Sequence, residues 1–172
     1  MNKPLIYTLL LMISSFAGNT AYAQASVTAH ATAEVILALT ATEGATLNFG
    51  KFSPENEGGE IKLNPDGDRT STGKLILGGG SYNPASFYLT GQPEFSVNIK
   101  LPSIPILLTN SEKGKTMEIK NWESIPPAGG GVKIQSSGDL SLSVGATLKV
   151  GNMNDNPVGK YIGTYSITFG YD

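Results

Sequence analysis

The chain has 172 residues, a net charge of −2, 15% charged residues, 21 glycines and no cysteine. That length suits one domain with a hydrophobic core. The near-neutral charge gives no electrostatic basis for binding nucleic acid or an anionic membrane surface, and the lack of thiols excludes cysteine nucleophiles, thiolate metal sites and disulfides.

Met1, Asn2 and Lys3 form a short basic start, Leu5 to Ile13 an apolar core, and Ala21-Tyr22-Ala23 a small-x-small cleavage site. This predicts a secretory signal peptide over residues 1–23, with an apolar run too short to span a bilayer. The expected location is therefore exported (periplasm, cell surface or extracellular), with no membrane span after cleavage. Sparse charge with plentiful Gly, Thr and Ser fits a β-rich extracytoplasmic protein.

From Gln24 the sequence alternates. Ala25, Val27, Ala29, Ala31, Ala33, Val35, Leu37 and Leu39 are apolar, and most residues between them are polar. The run exceeds a usual strand of about five or six residues. It reads as an N-terminal extension over 24–34, able to act as a donor strand, followed by a domain over 35–172 whose first strand starts near Val35.

Short strand candidates bounded by turn residues then follow one another. Leu47 and Phe49 share a face in Leu47 to Phe52. Ile61 and Leu63 precede the turn Asn64-Pro65-Asp66-Gly67-Asp68. Leu75 and Leu77 come next, then Ala85, Phe87 and Leu89, then Phe95, Val97, Ile99 and Leu101. Ile104 to Thr109 is a short apolar run that Pro102 and Pro105 place at a sheet edge. Met117, Ile119 and Trp122 form another strand, Val132 and Ile134 the next, and Leu140 to Val150 the longest internal one. About ten strands and no helical period predict an all-β protein, an antiparallel β-sandwich that buries one face of each strand.

The last segment, Gly159 to Asp172, alternates most strictly: Tyr161, Gly163, Tyr165, Ile167, Phe169 and Tyr171 fall on one face. A terminal strand this regular needs a partner, because an open apolar edge invites aggregation. Sticky strands at both ends of the chain point to β-strand addition between subunits.

Candidate chemistry is thin. His30 is the only histidine and lies on the polar face of the extension, so a Ser-His-Asp hydrolase is not expected. Asn64, Asp66 and Asp68 offer oxygen ligands for calcium, yet the spacing is turn chemistry; Asn152, Asn154, Asp155 and Asn156 read the same way. Glu55, Glu57 and Glu60 sit in a Gly-containing polar stretch and read as solvated charges. Trp122, Tyr82 and Tyr88 are the candidates for a sugar-stacking platform. No enzymatic activity, no cofactor and no metal site are expected.

The C-terminal pattern resembles the signature of chaperone–usher pilus subunits, in which a Gly lies fourteenth from the end and an aromatic next to last. Here Gly159 and Tyr171 hold those places. That resemblance implies an immunoglobulin-like, pilin-like incomplete sandwich. A periplasmic chaperone would contact Tyr161, Tyr165, Ile167, Phe169 and Tyr171, an outer-membrane usher would assemble the fibre, and Val27, Ala29, Ala31, Ala33 and Val35 would be donor residues to a like subunit. The chain also resembles the domain-of-unknown-function 4402 family of secreted bacterial proteins. The matching pieces are the Ala/Thr-rich start, Leu47 to Phe52, Gly58 to Gly67, Val144 to Val150 and the final Gly159 to Asp172. The function expected from residues and resemblance together is a secreted structural subunit of a surface fibre or pilus, active in cell adhesion. The alternative is a monomeric extracytoplasmic binding module, glycan-binding among the options, with a self-completed sandwich.

Overall fold

A computed structural model describes residues 24–172; the signal peptide expected over 1–23 lies outside the described residues. Residues 24–35 belong to one unit and 36–172 to another. In the first, 24–35 are exposed and form neither helix nor strand.

The second unit is all-β and antiparallel, with eleven strands. They are β1 (Thr40–Ala45), β2 (Phe52–Leu63), β3 (Arg69–Leu77), β4 (Ala85–Thr90), β5 (Ser96–Lys100), β6 (Ile106–Asn110), β7 (Thr116–Ile125), β8 (Gly129–Lys133), β9 (Asp139–Val150), β10 (Tyr161–Ile162) and β11 (Thr168–Tyr171). They make an eight-stranded sheet and a three-stranded sheet packed into a sandwich. No helix among the described residues is long and apolar enough to cross a membrane.

β9 is the hub of the larger sheet. One edge takes β4 along Asp139–Val144 and then β2 along Ala146–Val150; the other edge takes β7. The sheet continues β7–β6–β10, and β4 carries β1 at its far side. This position explains the composition of β9. Leu140, Leu142, Val144, Ala146, Leu148 and Val150 all point inward and are buried, as alternation on a half-buried sheet requires. The small sheet runs β11–β5–β8.

Two buried clusters fill the interior. In one, Val97 and Ile99 of the small sheet meet Ala85, Leu89, Leu142 and Val144 of the large sheet, a true two-layer core. The other is built by the inner face of β2, β7 and β9, with Ile61, Leu63, Met117, Ile119 and Leu148. No strand of the small sheet enters it. Phe49, Leu47, Phe52 and Tyr161 lie over it instead.

Three expectations need correction. The first strand begins at Thr40 rather than near Val35. Leu47 to Phe52 is not a regular strand: before Phe52 it has only the isolated bridge Asn48↔Asn83 and the bond from the Gly78 N–H to the Lys51 carbonyl. The run after Pro102 and Pro105 is not an edge strand, because β6 is flanked by β7 and β10. Both prolines precede Ile106, so they remove no donor from the ladder.

The C-terminal segment keeps the expected faces but is not one continuous strand. β10 pairs with β6 in the large sheet, and β11 pairs with β5 in the small one. Residues 163–167 cross between the sheets and make no backbone hydrogen bond among the described residues.

Candidate functional site

The crossing leaves a gap in the second layer. A groove of about 910 Å³ opens between the segment Thr46–Pro54 and the segment Asn156–Gly163 with Tyr165. Its floor is apolar: Leu108, Met117, Ile119 and Leu148. The last three are core residues, so the groove reaches down to the buried cluster itself.

Both walls carry backbone with spare hydrogen-bonding capacity. β10 ends its path in the large sheet, so only its edge toward β6 is paired. On the opposite wall, before β2 begins, backbone pairing consists of the Asn48↔Asn83 bridge and the bond from the Gly78 N–H to the Lys51 carbonyl. Arg69 holds this wall in place, donating to the carbonyls of Phe49 and Gly78, both at 2.9 Å, while its guanidinium lies 4.1 Å from the Tyr82 ring centroid. Gly50 sits beneath that guanidinium at φ 76°, a conformation that favours glycine. Chemically, an apolar trough flanked by incompletely paired backbones offers both apolar contact and free backbone hydrogen-bonding groups.

Tyr165 sits at the inner end of the groove. Its ring lies 4.7 Å from Trp122, with the planes at 42°. The Tyr165 hydroxyl and the Trp122 Nε1 are buried without a hydrogen-bond partner among the described residues. Burial, with a smaller push from the Glu43 carboxylate, raises the Tyr165 phenol to about 12.

The other C-terminal residues singled out in the sequence are also placed. Gly159 packs against Asn110, whose side chain would collide with any Cβ there. Tyr161 donates to the Pro157 carbonyl at 2.9 Å. Ile167 and Phe169 pack into the two-layer core, with Phe169 6.2 Å from Phe87. Tyr171 stacks edge-on to Phe95 at 5.8 Å. Within the first unit, Val27, Ala29, Ala31, Ala33 and Val35 are exposed and in no strand.

The remaining candidates do not converge. Trp122 packs against both core clusters. Tyr82 lies under Arg69, and Tyr88 is exposed on β4. They form no common platform. Asn64 and Asp68 close the β2–β3 hairpin through backbone bonds, and Asp66 accepts from the Asp68 N–H. Asn152 accepts from the N–H groups of Asn154 and Asp155, while Asn156 bonds Gly151 and Thr116. These are turn-forming bonds. Glu60 pairs with Lys120 at 2.6 Å on the outer face, and Glu55 and Glu57 are exposed within the β2 bulge. His30 is exposed. Sequence reasoning missed the groove floor, whose residues carried only a core signal.

A two-layer β-sandwich with an open apolar seam defines the architectural class. The chain belongs to the domain-of-unknown-function 4402 family, whose model matches residues 39–171. No curated protein matches it.

Proposed function

We propose that this protein is an exported structural subunit of a surface fibre or pilus that assembles by β-strand addition between like subunits. The observation that carries the reading is the groove between 46–54 and 156–165. Its floor consists of Leu108, Met117, Ile119 and Leu148, and its walls lack a full set of backbone partners. An extended strand laid there would bury apolar surface worth roughly 25 cal/mol per Å² and complete the unpaired edges. The N-terminal extension supplies a donor of the right kind, with Val27, Ala29, Ala31, Ala33 and Val35 on one face and no strand partner among the described residues. Its small side chains fill the groove only shallowly, so the backbone ladder carries much of the contact. A periplasmic chaperone and an outer-membrane usher belong to the same proposal as carriers of the unassembled subunit.

The test is Ala31→Asp. Ala31 is exposed and unpaired, so the change leaves the domain folded, while a carboxylate driven into an apolar groove opposes assembly. Fibres of normal length from this variant, folded by circular dichroism, would overturn the proposal.

A further inference from the structure

The strand-acceptor reading leaves open which way the inserted strand runs, and charge bears on that. Two lysines line the groove, Lys51 on one wall and Lys160 on the other, and no Asp or Glu among the described residues lines it. Each stands one position before a strand, Lys51 before β2 and Lys160 before β10. Both are exposed. The ion pairs among the described residues are Lys62–Glu123 and Lys120–Glu60, so neither groove lysine has a carboxylate partner there. Glu55 and Asp155 adjoin the lining in sequence without entering it. The extension carries the complementary charge. Over 24–35 it has one carboxylate, Glu34, and no lysine or arginine. In an extended strand Glu34 lies on the face opposite Ala29, Ala31 and Ala33.

We infer that Glu34 of a second copy docks at Lys51 and Lys160 and sets the direction of the inserted strand, antiparallel to Tyr161–Tyr165. The inference rests on the strand-acceptor reading and names its occupant, the N-terminal segment of that second copy. With Glu34 level with Lys160, the residues Ala33, Ala31 and Ala29 fall opposite Tyr161, Gly163 and Tyr165. Opposed residues of an antiparallel pair share a face, so the apolar row of the arm meets the inward row of the C-terminal segment. The parallel direction fails this match. A parallel strand that lays Ala29, Ala31 and Ala33 beside Tyr161, Gly163 and Tyr165 puts Glu34 level with Ser166, roughly 20 Å beyond Lys160. The body of the second copy follows Val35, so an antiparallel strand leaves the groove past Gly159, toward Val158 and Met153. Both are apolar, exposed and part of the groove lining, and the second copy covers them.

The experiment titrates labelled Ala25–Val35 peptides with the full chain carrying Ala31→Asp, whose own arm is a poor donor, and reads binding by fluorescence anisotropy at low salt. The native peptide should bind about fivefold tighter than its Glu34→Lys form, and salt at about 0.5 M should shrink the difference. Lys160→Glu in the full chain, and independently Lys51→Glu should the first variant fold poorly, should abolish that preference. A third peptide carries Thr28→Glu and Glu34→Thr, which moves the carboxylate to the position a parallel strand would set beside Lys160. It should bind more weakly than the native peptide. Tighter binding of this third peptide would overturn the direction. Equal binding of the native and Glu34→Lys peptides, or a preference that survives in both lysine variants, would overturn the ionic contact while leaving strand acceptance standing. Binding of no peptide to any form would overturn strand acceptance and the inference with it.

Discussion

Tyr171 and Leu37 stand 134 positions apart, and the phenol of one donates to the carbonyl of the other at 2.9 Å. This bond ties the last strand to the first residues of the sandwich. The same oxygen accepts from the Gln92 N–H, so one hydroxyl serves two backbone groups. Tyr171→Phe keeps the edge-on contact with Phe95 but orphans both. The expected loss is about 1–2 kcal/mol of unfolding free energy, read as a lower urea midpoint with unchanged slope.

Leu148 lies on the groove floor yet is 1% exposed, because the buried cluster packs against it from the other strands. Leu148→Ala should cost about 2–5 kcal/mol through the cavity it leaves. Ile162, on the outer face of β10, is 58% exposed. Ile162→Ala should stay within about 0.5 kcal/mol. Equal effects of the two changes in a denaturant titration would contradict the placement of the core.

Arg69 braces the groove wall through two carbonyls and the Tyr82 face. Lysine cannot reproduce that fork, so Arg69→Lys should lose about 1–2 kcal/mol. Amide exchange should accelerate most at Gly78, whose N–H bonds the Lys51 carbonyl in the same wall.

The raised Tyr165 phenol gives a pH signature. Its neutral form is favoured in the folded state, with a value of about 12 against the ordinary 10.0. The unfolded chain therefore releases this proton first. The contribution is fully present below about pH 10 and is lost as pH rises from about 10 to about 12. Denaturation midpoints measured across that range should fall less steeply in Tyr165→Phe than in the wild type.

Much of the fold was legible because burial follows alternation. Every inward residue expected in Leu140 to Val150 is buried, and the odd-numbered face of Tyr161 to Tyr171 is the inward one. Alternation does not reveal which strand lies alongside. A segment that leaves one sheet at Ile162 and joins another at Thr168 keeps the same period throughout, so the sheet switch had no sequence signal. Leu47 and Phe49 alternate like strand residues, yet the segment there makes only an isolated bridge and one further backbone bond. The groove escaped for the same reason. It is defined by backbone groups that lack partners and by Met117, Ile119 and Leu148, which look like any core residues in the sequence. Hydrogen bonds join Leu37, Gln92 and Tyr171 over long separations, and only the folded topology brings them together.

The most direct measurement is the size of the native protein, sheared from its producing cells and run on a denaturing gel unheated and after boiling. Strand addition predicts a ladder in the unheated lane that collapses on boiling to one band near the subunit mass. A single subunit band in both lanes would contradict assembly by strand addition.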